Sequence, residues 1–356
     1  MFDKGVISDY LPISGKRICL VGNWGHMNIG DELIVLGLII LLQRHNPHSL
    51  FHVSTGKKSF IQSFHHYFAS LIRLDTLVYL QEIPHGFRSG LRFLRLGWRD
   101  FVHYLQCDTF ILGGGELFTS ETPGSYLYRG WSLLPYWIRK ICFFPTKLYI
   151  MGGIQKSTHW YNNLILTTIL HSSSGAFLRD HESVTVVRSL LSDQKHHTIK
   201  RFMDTSYFVV NAATISSLLP HGNSFDAYSK YIIINSNPLS KQWTNKLKTI
   251  IDTYTSQGYE IYFLPGFYTT NSSQDDMSVY YMLVKQGYKL RLLDWRVRDL
   301  FLPIFLHAEQ VYCSRLHIYL IARFLNIRVQ PYQYQQKLIK MQSILNSLSQ
   351  KKIEIV

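Results

Sequence analysis

The stretch EQVYCSRLHIYLIARFLNIRVQPY, residues 309–332, has the order strand, turn, helix, strand. EQVYCS and RVQPY are short extended runs, whereas IYLIARFLNI between them carries apolar residues at helical spacing. This order is one repeat of an α/β sheet. Arg315 and His317 then fall where the first strand ends and the helix begins, which is where open α/β sheets bind ligands.

Apolar runs of the same kind recur through residues 1–210 and alternate with longer helical segments. The predicted strands are RICLVG (17–22), LFHVS (50–54), TLVYL (76–80), TFILGGG (109–115), KLYIMGG (147–153) and GAFLRD (175–180). Near-continuous apolar runs suit parallel strands that are covered on both faces. The alternation therefore predicts a doubly wound α/β sheet.

The sequence turns polar over about residues 211–228, where Pro220, Gly222 and Asn223 indicate a linker. The alternation then resumes with YIIINSNP, a helix, EIYFLPG, a second helix after two aspartates, a short strand and the stretch quoted above. We therefore predict two domains, residues 1–210 and 211–356, with a last helix that packs back. Each is a Rossmann-like doubly wound domain, and the two are expected to face each other across a cleft.

The chain is strongly basic, with 37 Lys+Arg against 23 Asp+Glu and a formal charge of +14. Such a balance favours an anionic partner, whether a phosphorylated metabolite, nucleic acid or an anionic membrane surface. No helix-turn-helix, zinc-finger or RNA-binding signature is present, so nucleic acid is not expected. The segment FRSGLRFLRLGWRD, residues 87–100, fits an amphipathic helix that is either solvated or close to lipid headgroups.

The four cysteines are widely spaced in apolar surroundings, which predicts buried free thiols and no metal site. The N-terminus has no apolar run typical of a signal peptide. LIVLGLIILL, residues 33–42, is too short to span a bilayer and predicts a buried helix. We expect a cytoplasmic enzyme with peripheral contact to the inner face of the cell membrane.

Two glycine-containing loops follow predicted strands and offer polar groups to a ligand. The first, GNWGHMNIGDE, carries the candidate binding residues Asn23, Asn28 and Asp31, although Asp31 is equally suited to cap the next helix. The second, ILGGGELF, places Gly113, Gly114, Gly115 and Glu116 directly after a buried strand. Three consecutive glycines favour close approach of the backbone to a ligand or a facing loop.

Arginines are expected on both sides of the predicted cleft. Arg179 ends the sixth predicted strand in FLRDHES, and Arg315 ends a strand of the second domain. The pair Arg179–Asp180 is explained equally well as a structural ion pair. A guanidinium at a sheet edge also suits bidentate binding of a carboxylate or phosphate, and His317 adds a titratable group beside Arg315.

The ordered set of these motifs resembles the polysaccharide pyruvyl transferase family. The motifs that carry the resemblance are NIGDE (28–32), ILGGGELF (111–118), FLRDHES (177–183), MDTSYFV (203–209), SRLHIYLIARFLNIRVQPY (314–332) and YQQK (334–337). The resemblance implies a GT-B-like architecture. It also implies transfer of a pyruvyl group from phosphoenolpyruvate to a saccharide or lipid-linked saccharide, forming a ketal, with no cofactor or metal.

Residue by residue, the resemblance implies that Arg179, Arg315, Leu316 and His317 hold and activate phosphoenolpyruvate. The loop over residues 22–31 and the GGG loop would lie on the acceptor side. Tyr334 and Lys337 match the family's Y-x-x-K element, with a structural or donor-side role. The chain departs from the family after the fifth predicted strand, where GGIQKSTHW makes His159 a candidate acid or base.

Two other functions share this architecture and charge. One is a GT-B glycosyltransferase that uses a nucleotide sugar, although no carboxylate suited to a ribose is evident near residues 313–337. The other is a catalytically silent, glycan-binding member of the family, which the joint presence of Arg179, Arg315 and His317 disfavours. The sequence leaves the acceptor sugar, its lipid linkage and the oligomeric state undecided.

Overall fold

The computed structural model describes residues 12–83, 97–118, 125–191, 198–202, 204–210, 230–238, 241–269 and 275–332. The chain divides into two compact units. Unit 1 comprises Met1–His26 and Asp31–Val209, and unit 2 comprises Met27–Gly30 and Val210–Val356. The predicted linker and the last helix lie outside the described residues.

Unit 1 is built on a parallel sheet. Its strands are β1 (Arg17–Val21), β2 (Leu50–Thr55), β3 (Leu77–Gln81), β4 (Thr109–Leu112), β5 (Glu116–Phe118), β6 (Lys147–Ile154), β7 (Gly175–Leu178) and β8 (Ile199–Arg201). They are ordered β3-β2-β1-β4-β6-β7-β8, with β5 pairing β6. All six predicted strands form. β5 and β8 were not predicted, because each is only three residues long and IKR of β8 is not an apolar run.

Helices cover the sheet of unit 1. Up to residue 210 they are α1 (Ile29–His45), α2 (Lys58–Tyr67), α3 (Trp98–Leu105), α4 (Ser125–Ser132), α5 (Leu134–Ile141), α6 (Trp160–Ser172), α7 (His181–Leu190) and α8 (Tyr207–Val210), with a 3₁₀ turn at Leu74–Thr76. The apolar run at 33–42 lies within α1 and is buried, as predicted. The predicted basic helix at 87–100 lies mostly outside the described residues, and α3 begins at Trp98.

Unit 2 repeats the same plan on a smaller scale. Its strands are β9 (Tyr231–Ile234), β10 (Glu260–Phe263), β11 (Arg291–Leu292), β12 (Gln310–Cys313) and β13 (Val329–Pro331), in the parallel order β11-β10-β9-β12-β13. Its helices are α9 (Lys241–Ser256), α10 (Asp276–Lys285), α11 (Arg298–Leu306) and α12 (Leu316–Phe324). The quoted stretch thus forms β12, α12 and β13 as predicted.

Strand order reverses between β1 and β4 in unit 1 and between β9 and β12 in unit 2. Open α/β sheets bind ligands at the carboxyl ends of the strands that flank such a reversal. The loops after β1 and β4 are the two glycine-containing loops, and the residues after β12 are Ser314 and Arg315. The topology of each sheet therefore places these candidate residues at the edge where open α/β sheets generally bind ligands.

Two features bear on the membrane and on the thiols. No helix among the described residues is long and apolar enough to cross a membrane. Cys19, Cys107 and Cys313 are buried free thiols, as expected, but Cys142 is exposed. The expectation was wrong for Cys142 because this residue ends helix α5, and the turn after it projects into solvent.

Candidate functional site

Arg315 is held rigidly at the carboxyl end of β12. Its guanidinium forms a two-pronged ion pair with Asp276, through Nε to Oδ2 at 3.1 Å and through Nη2 to Oδ1. The Asp276 carboxyl is fully buried, whereas the Arg315 side chain is 24% exposed. A bidentate pair of this kind fixes the plane of the guanidinium.

Asp276 is the first residue of α10 and is anchored by neutral donors as well. Its Oδ2 accepts hydrogen bonds from the N–H of Gly266 at 2.8 Å and from the Asn235 side chain at 3.4 Å. Burial raises the pKa of the Asp276 carboxyl, while the charge and hydrogen bonds of Arg315 act in the opposite direction. The paired guanidinium and two donors are what allow a carboxylate to lie in this interior position.

Asn235 joins the carboxyl ends of β9 and β12. Its Oδ1 accepts from the N–H groups of Ser314 at 3.2 Å and Arg315 at 3.0 Å, and its Nδ2 donates to the Leu264 carbonyl at 2.9 Å. The side chain is fully buried. Asn235 therefore fixes the backbone from which Arg315 projects, at the reversal point of the unit 2 sheet.

His317 lies in the first turn of α12, where Arg315 is the N-cap residue. The N–H groups of a first helical turn have no partner within the helix and favour an anion. The Leu316 side chain is buried in the core, so its backbone N–H is the part of this residue that belongs to the helix end. Arg315, His317 and the amino end of α12 together form an edge rich in N–H groups, which is suited to a phosphate.

The segment Met27–Gly30 belongs to unit 2 and completes this edge. Asn28 forms an antiparallel bridge with Phe267, and the N–H of Ile29 donates to the Gly266 carbonyl at 3.0 Å. A Cβ added to Gly30 would fall 2.0 Å from His317 Nδ1, which no real side chain tolerates. Glycine at position 30 is therefore required for the imidazole to lie where it does. Asn28, predicted on the acceptor side, lies in the same unit as His317.

Arg179 follows β7 in unit 1 and is 8% exposed. Its Nε lies 3.7 Å from Asp180 Oδ2, and its Nη1 lies 3.7 Å from Asp204 Oδ2. Asp180 also caps α7 by accepting from the N–H of Ser183 at 2.7 Å. The ion-pair interpretation of the Arg–Asp sequence agrees with this geometry, and Asp180 also caps α7. Binding of a carboxylate or phosphate by Arg179 stays a prediction.

The GGG loop lies against Arg179. A Cβ at Gly115 would lie 3.3 Å from Asp31 Oδ1 and 3.8 Å from Arg179 Nη1. Gly114 and Gly152 line one cavity together with Arg179 and Asp204. Gly152 has a φ of +130° and its Cβ would collide with the Gly114 carbonyl at 2.2 Å, so two backbones meet there at a distance that only glycine permits.

A second polar group surrounds the loop after β1. Asn23 Oδ1 accepts from Nη1 of the buried Arg129 at 2.9 Å. His26 Nε2 lies 3.0 Å from Glu82 Oε2, and this hydrogen bond raises the pKa of His26, with the charge of Asp31 adding to the effect. The predicted residues Asn23 and Asp31 are therefore parts of a mixed-charge cluster rather than isolated turn residues.

The remaining predicted residues are placed as follows. His159 precedes α6, and its ring stacks on Tyr161 at 5.6 Å between centroids. Glu116 opens β5, and only its backbone is described. Tyr334 and Lys337 lie outside the described residues. No cluster of three or more metal-ligating side chains occurs in the part of the chain that the structure describes.

Sequence reasoning missed the residues that hold the predicted ones. Asp276 was read only as the start of a helix, Asn235 as part of a strand end, and Glu82 and Arg129 were not considered. Polar residues at the end of an apolar strand, as in YIIINSN, are a signal that could have identified Asn235. Glu82 also follows an apolar strand directly, at the end of β3, whereas Arg129 lies within α4 and fits no such pattern.

Comparisons with known proteins agree with the motifs and the fold. A family model described as polysaccharide pyruvyl transferase matches residues 28–329, nearly the whole chain. No match is found among curated proteins.

Solved structures with a similar fold include UDP-GlcNAc 2-epimerase from Neisseria meningitidis, with a TM-score of 0.60 and 12% identity over 94% of this chain and 91% of that one. UDP-N-acetylglucosamine 2-epimerase from Rickettsia bellii gives 0.55 and 14% over 89% and 78%. At these identities the likeness concerns the fold alone. With the two parallel sheets, it confirms the predicted GT-B-like α/β class.

Proposed function

Because the chain belongs to the polysaccharide pyruvyl transferase family, we propose that it transfers a pyruvyl group from phosphoenolpyruvate to two hydroxyls of a saccharide. The observation that supports this most directly is the edge of unit 2, where Arg315, fixed by the buried Asp276, lies beside His317 at the amino end of α12. Phosphoenolpyruvate carries a phosphate and a carboxylate, and guanidinium forks and helix amino ends are suited to both.

The chemistry requires four proton movements and one leaving group, because the two protons lost by the saccharide hydroxyls are balanced by one added to the methylene carbon and one taken up by the departing phosphate. A proton added to the methylene carbon makes the central carbon electrophilic, and the first saccharide hydroxyl attacks that carbon and loses its proton. The bond between the central carbon and the phosphate oxygen breaks, and inorganic phosphate leaves. The second hydroxyl then attacks the same carbon and loses its proton, which closes the ketal.

Arg315 and the first-turn N–H groups would offset the charge that develops on the leaving phosphate. His317, which lies beside Arg315 in the same turn, would serve as the proton donor or acceptor at that end of the substrate. Arg179 is proposed, on its motif, as the guanidinium for the donor's carboxylate. Its burial and the neighbouring Asp180 and Asp204 support a fixed orientation.

For the acceptor, we propose the cluster after β1 in unit 1. Asn23, Asp31 and the buried Arg129 offer donors and acceptors of the kind that bind sugar hydroxyls. His26 is 43% exposed and held by Glu82, which makes it the histidine of this cluster that could take a hydroxyl proton. A lipid-linked saccharide and a cytoplasmic location at the membrane fit the basic charge and are proposed with it.

The test begins with ligand binding. We expect phosphoenolpyruvate to raise the melting temperature of the wild type and to lose this effect in Arg315→Lys, which keeps the charge but cannot form the fork. Arg323→Ala, an exposed arginine on the same helix, is the matched control and should behave as wild type. Phosphate release is then followed with a panel of saccharides.

Two results would overturn the choice of phosphoenolpyruvate as the donor. One is stabilisation by UDP-GlcNAc without any response to phosphoenolpyruvate, which would favour nucleotide-sugar chemistry. The other is an unchanged response in Arg315→Lys together with an unchanged response in His317→Gln. Binding of a saccharide without phosphate release, across the whole panel, would instead indicate a catalytically silent glycan-binding protein.

A further inference from the structure

One helical layer of unit 1 has an unusual outer face. Helix α3 packs against α5, and α4 packs against both α5 and α6. Their inner sides contribute Tyr104, Tyr136 and Leu166 to the core of the unit. The layer is therefore anchored on the sheet by one side, and its other side faces solvent.

The outer side carries pairs of large apolar residues four positions apart on three of these helices. They are Trp98 at 59% and Val102 at 40% exposure, Leu127 at 52% and Trp131 at 50%, and Trp160 at 74% and Leu164 at 57%. Residues four apart lie on the same side of a helix. An amphipathic surface helix normally has polar residues there. The three pairs therefore form apolar outer stripes that the core does not use.

The turn after α5 adds the most exposed apolar groups. Ile141 is 73% exposed, Phe143 is 94% and Phe144 is 55%. The turn is ordered by backbone hydrogen bonds from Phe143 to Lys140 at 3.2 Å and from Phe144 to Arg139 at 3.0 Å. The Arg139 guanidinium also lies 5.1 Å from the centre of the Phe144 ring. The aromatic side chains thus project from a defined turn.

Positive charge dominates this part of the chain, and the one acidic residue of α3, Asp100, is paired with Lys58. Residues 122–179 contain no aspartate or glutamate. Lys140, Lys147 and Lys156 are exposed along the same stretch. We propose that the outer faces of α3 to α6 and the turn at 141–144 form a docking face for an anionic lipid bilayer. Tryptophan and phenylalanine partition into the interface, and lysines beside them attract acidic headgroups.

A second copy of the chain fits this face less well. Self-association through one shared surface would bring exposed lysines together, and residues 122–179 provide no carboxylate to pair with them. The bilayer supplies the missing negative charge as well as an apolar layer. This proposal does not depend on the reaction proposed above, and it uses residues outside the 87–96 part of the basic segment.

The experiment uses the full chain with vesicles of phosphatidylcholine alone or mixed with phosphatidylglycerol. We expect sedimentation with the mixed vesicles only, weakened by added salt. Cys142 is the exposed cysteine, so an environment-sensitive fluorophore attached there should shift to shorter wavelength when the turn enters the interface. The unlabelled protein controls for any effect of the label.

Variants separate this face from general charge. Phe143→Ser/Phe144→Ser should lower vesicle affinity at least tenfold, and Lys140→Gln/Lys147→Gln should lower it about fivefold per charge. The matched controls, Tyr281→Ser/Val284→Ser and Lys246→Gln/Lys285→Gln, change exposed residues of unit 2 and should leave affinity unchanged. Each variant is first shown to melt as the wild type does.

Three outcomes would overturn the proposal. The first is the absence of binding to mixed vesicles. The second is an equal loss of affinity in the unit 2 controls, which would indicate non-specific attraction of a basic protein. The third is a concentration-dependent dimer that the Phe143→Ser/Phe144→Ser variant converts to a monomer while vesicles fail to bind, which would make the face an interface between two copies.

Discussion

The imidazole of His317 lies directly against the Cα of Gly30, so that a Cβ at residue 30 would fall 2.0 Å from Nδ1 and 2.6 Å from Cγ. The glycine of the NIGDE motif is therefore required for the position of His317, although the two residues are far apart in the sequence. Gly30 thus contributes to the candidate donor site because its lack of a side chain leaves room for the imidazole.

Gly30→Ala should therefore displace His317 while leaving both sheets intact. We expect the apparent affinity for phosphoenolpyruvate, measured from the shift of the melting temperature, to fall at least tenfold. Gly130→Ala is the control, because its Cβ would meet only Ile165 at 3.9 Å and lies within a helix, where alanine is favoured by about 0.5–1 kcal/mol. If phosphoenolpyruvate raised the melting temperature of Gly30→Ala as it does that of the wild type, the position of His317 against Gly30 would not matter for donor binding.

Asp276→Ala should destabilise unit 2 by about 3–5 kcal/mol, because it leaves the guanidinium of Arg315 without its buried partner. Asp275→Ala removes only the N-cap of α10, whose side chain accepts from the N–H of Met277 at 3.1 Å, and should cost about 1 kcal/mol. Urea unfolding of both variants gives the comparison. Equal losses would mean that the ion pair contributes nothing beyond capping.

His65 should make the protein sensitive to acid. The side chain is fully buried, and burial lowers its pKa to about 3, while Nδ1 lies 2.9 Å from the Tyr79 hydroxyl. Between pH 3 and the unfolded value of about 6.5, the unfolded chain binds the proton and the folded one does not. The free energy of unfolding should fall with decreasing pH in this window, by up to about 1.4 kcal/mol per pH unit.

His65→Gln removes that contribution, so its stability should depend less steeply on pH between 3 and 6 than that of the wild type. His66→Gln, at the neighbouring exposed position of α2, is the control. Urea unfolding at a series of pH values measures the slopes. Parallel curves for His65→Gln and wild type would contradict the prediction.

Glu82→Gln should lower the pKa of His26, because the hydrogen bond to Glu82 is the main cause of its raised value. A raised pKa in the folded state stabilises the protein below about pH 6.5, and this stabilisation disappears as the pH rises through the folded pKa. The measurement is an NMR titration of the imidazole, assigned with His26→Gln. If the pKa of His26 were the same in Glu82→Gln as in the wild type, Glu82 would not be the cause of its raised value.

The sequence predicted the fold class well, because hydrophobic alternation is a local signal and strands such as RICLVG are read directly from it. The same locality explains which site residues were found. Arg315 and His317 lie at a strand end, so their position followed from the strand, but Asp276 is separated from Arg315 by 39 residues and Asn235 by 80. A single sequence marks Asn235 as a polar residue at a strand end, but it does not show that Asn235 and Asp276 meet Arg315.

Unit 1 shows the same limit. Asn23 was predicted from its own loop alone, but its hydrogen-bond partner Arg129 lies 106 residues away, and the His26–Glu82 pair spans 56 residues. The sequence also does not show which apolar side chains are exposed. WYNNLIL of α6 has the composition of a buried helix, but Trp160 and Leu164 face solvent. Burial is a property of the assembled unit.

The non-contiguous make-up of unit 2 sets an order of events during synthesis. Met27–Gly30 is synthesised long before its partners Gly266 and Phe267, because almost all of unit 1 lies between them in the sequence. Unit 1 can complete its sheet while the nascent chain is still attached to the ribosome. The pairing of Met27–Gly30 with Gly266 and Phe267, against which His317 packs, can form only later. A fragment that starts at residue 210 would therefore lack the residues that lie against His317.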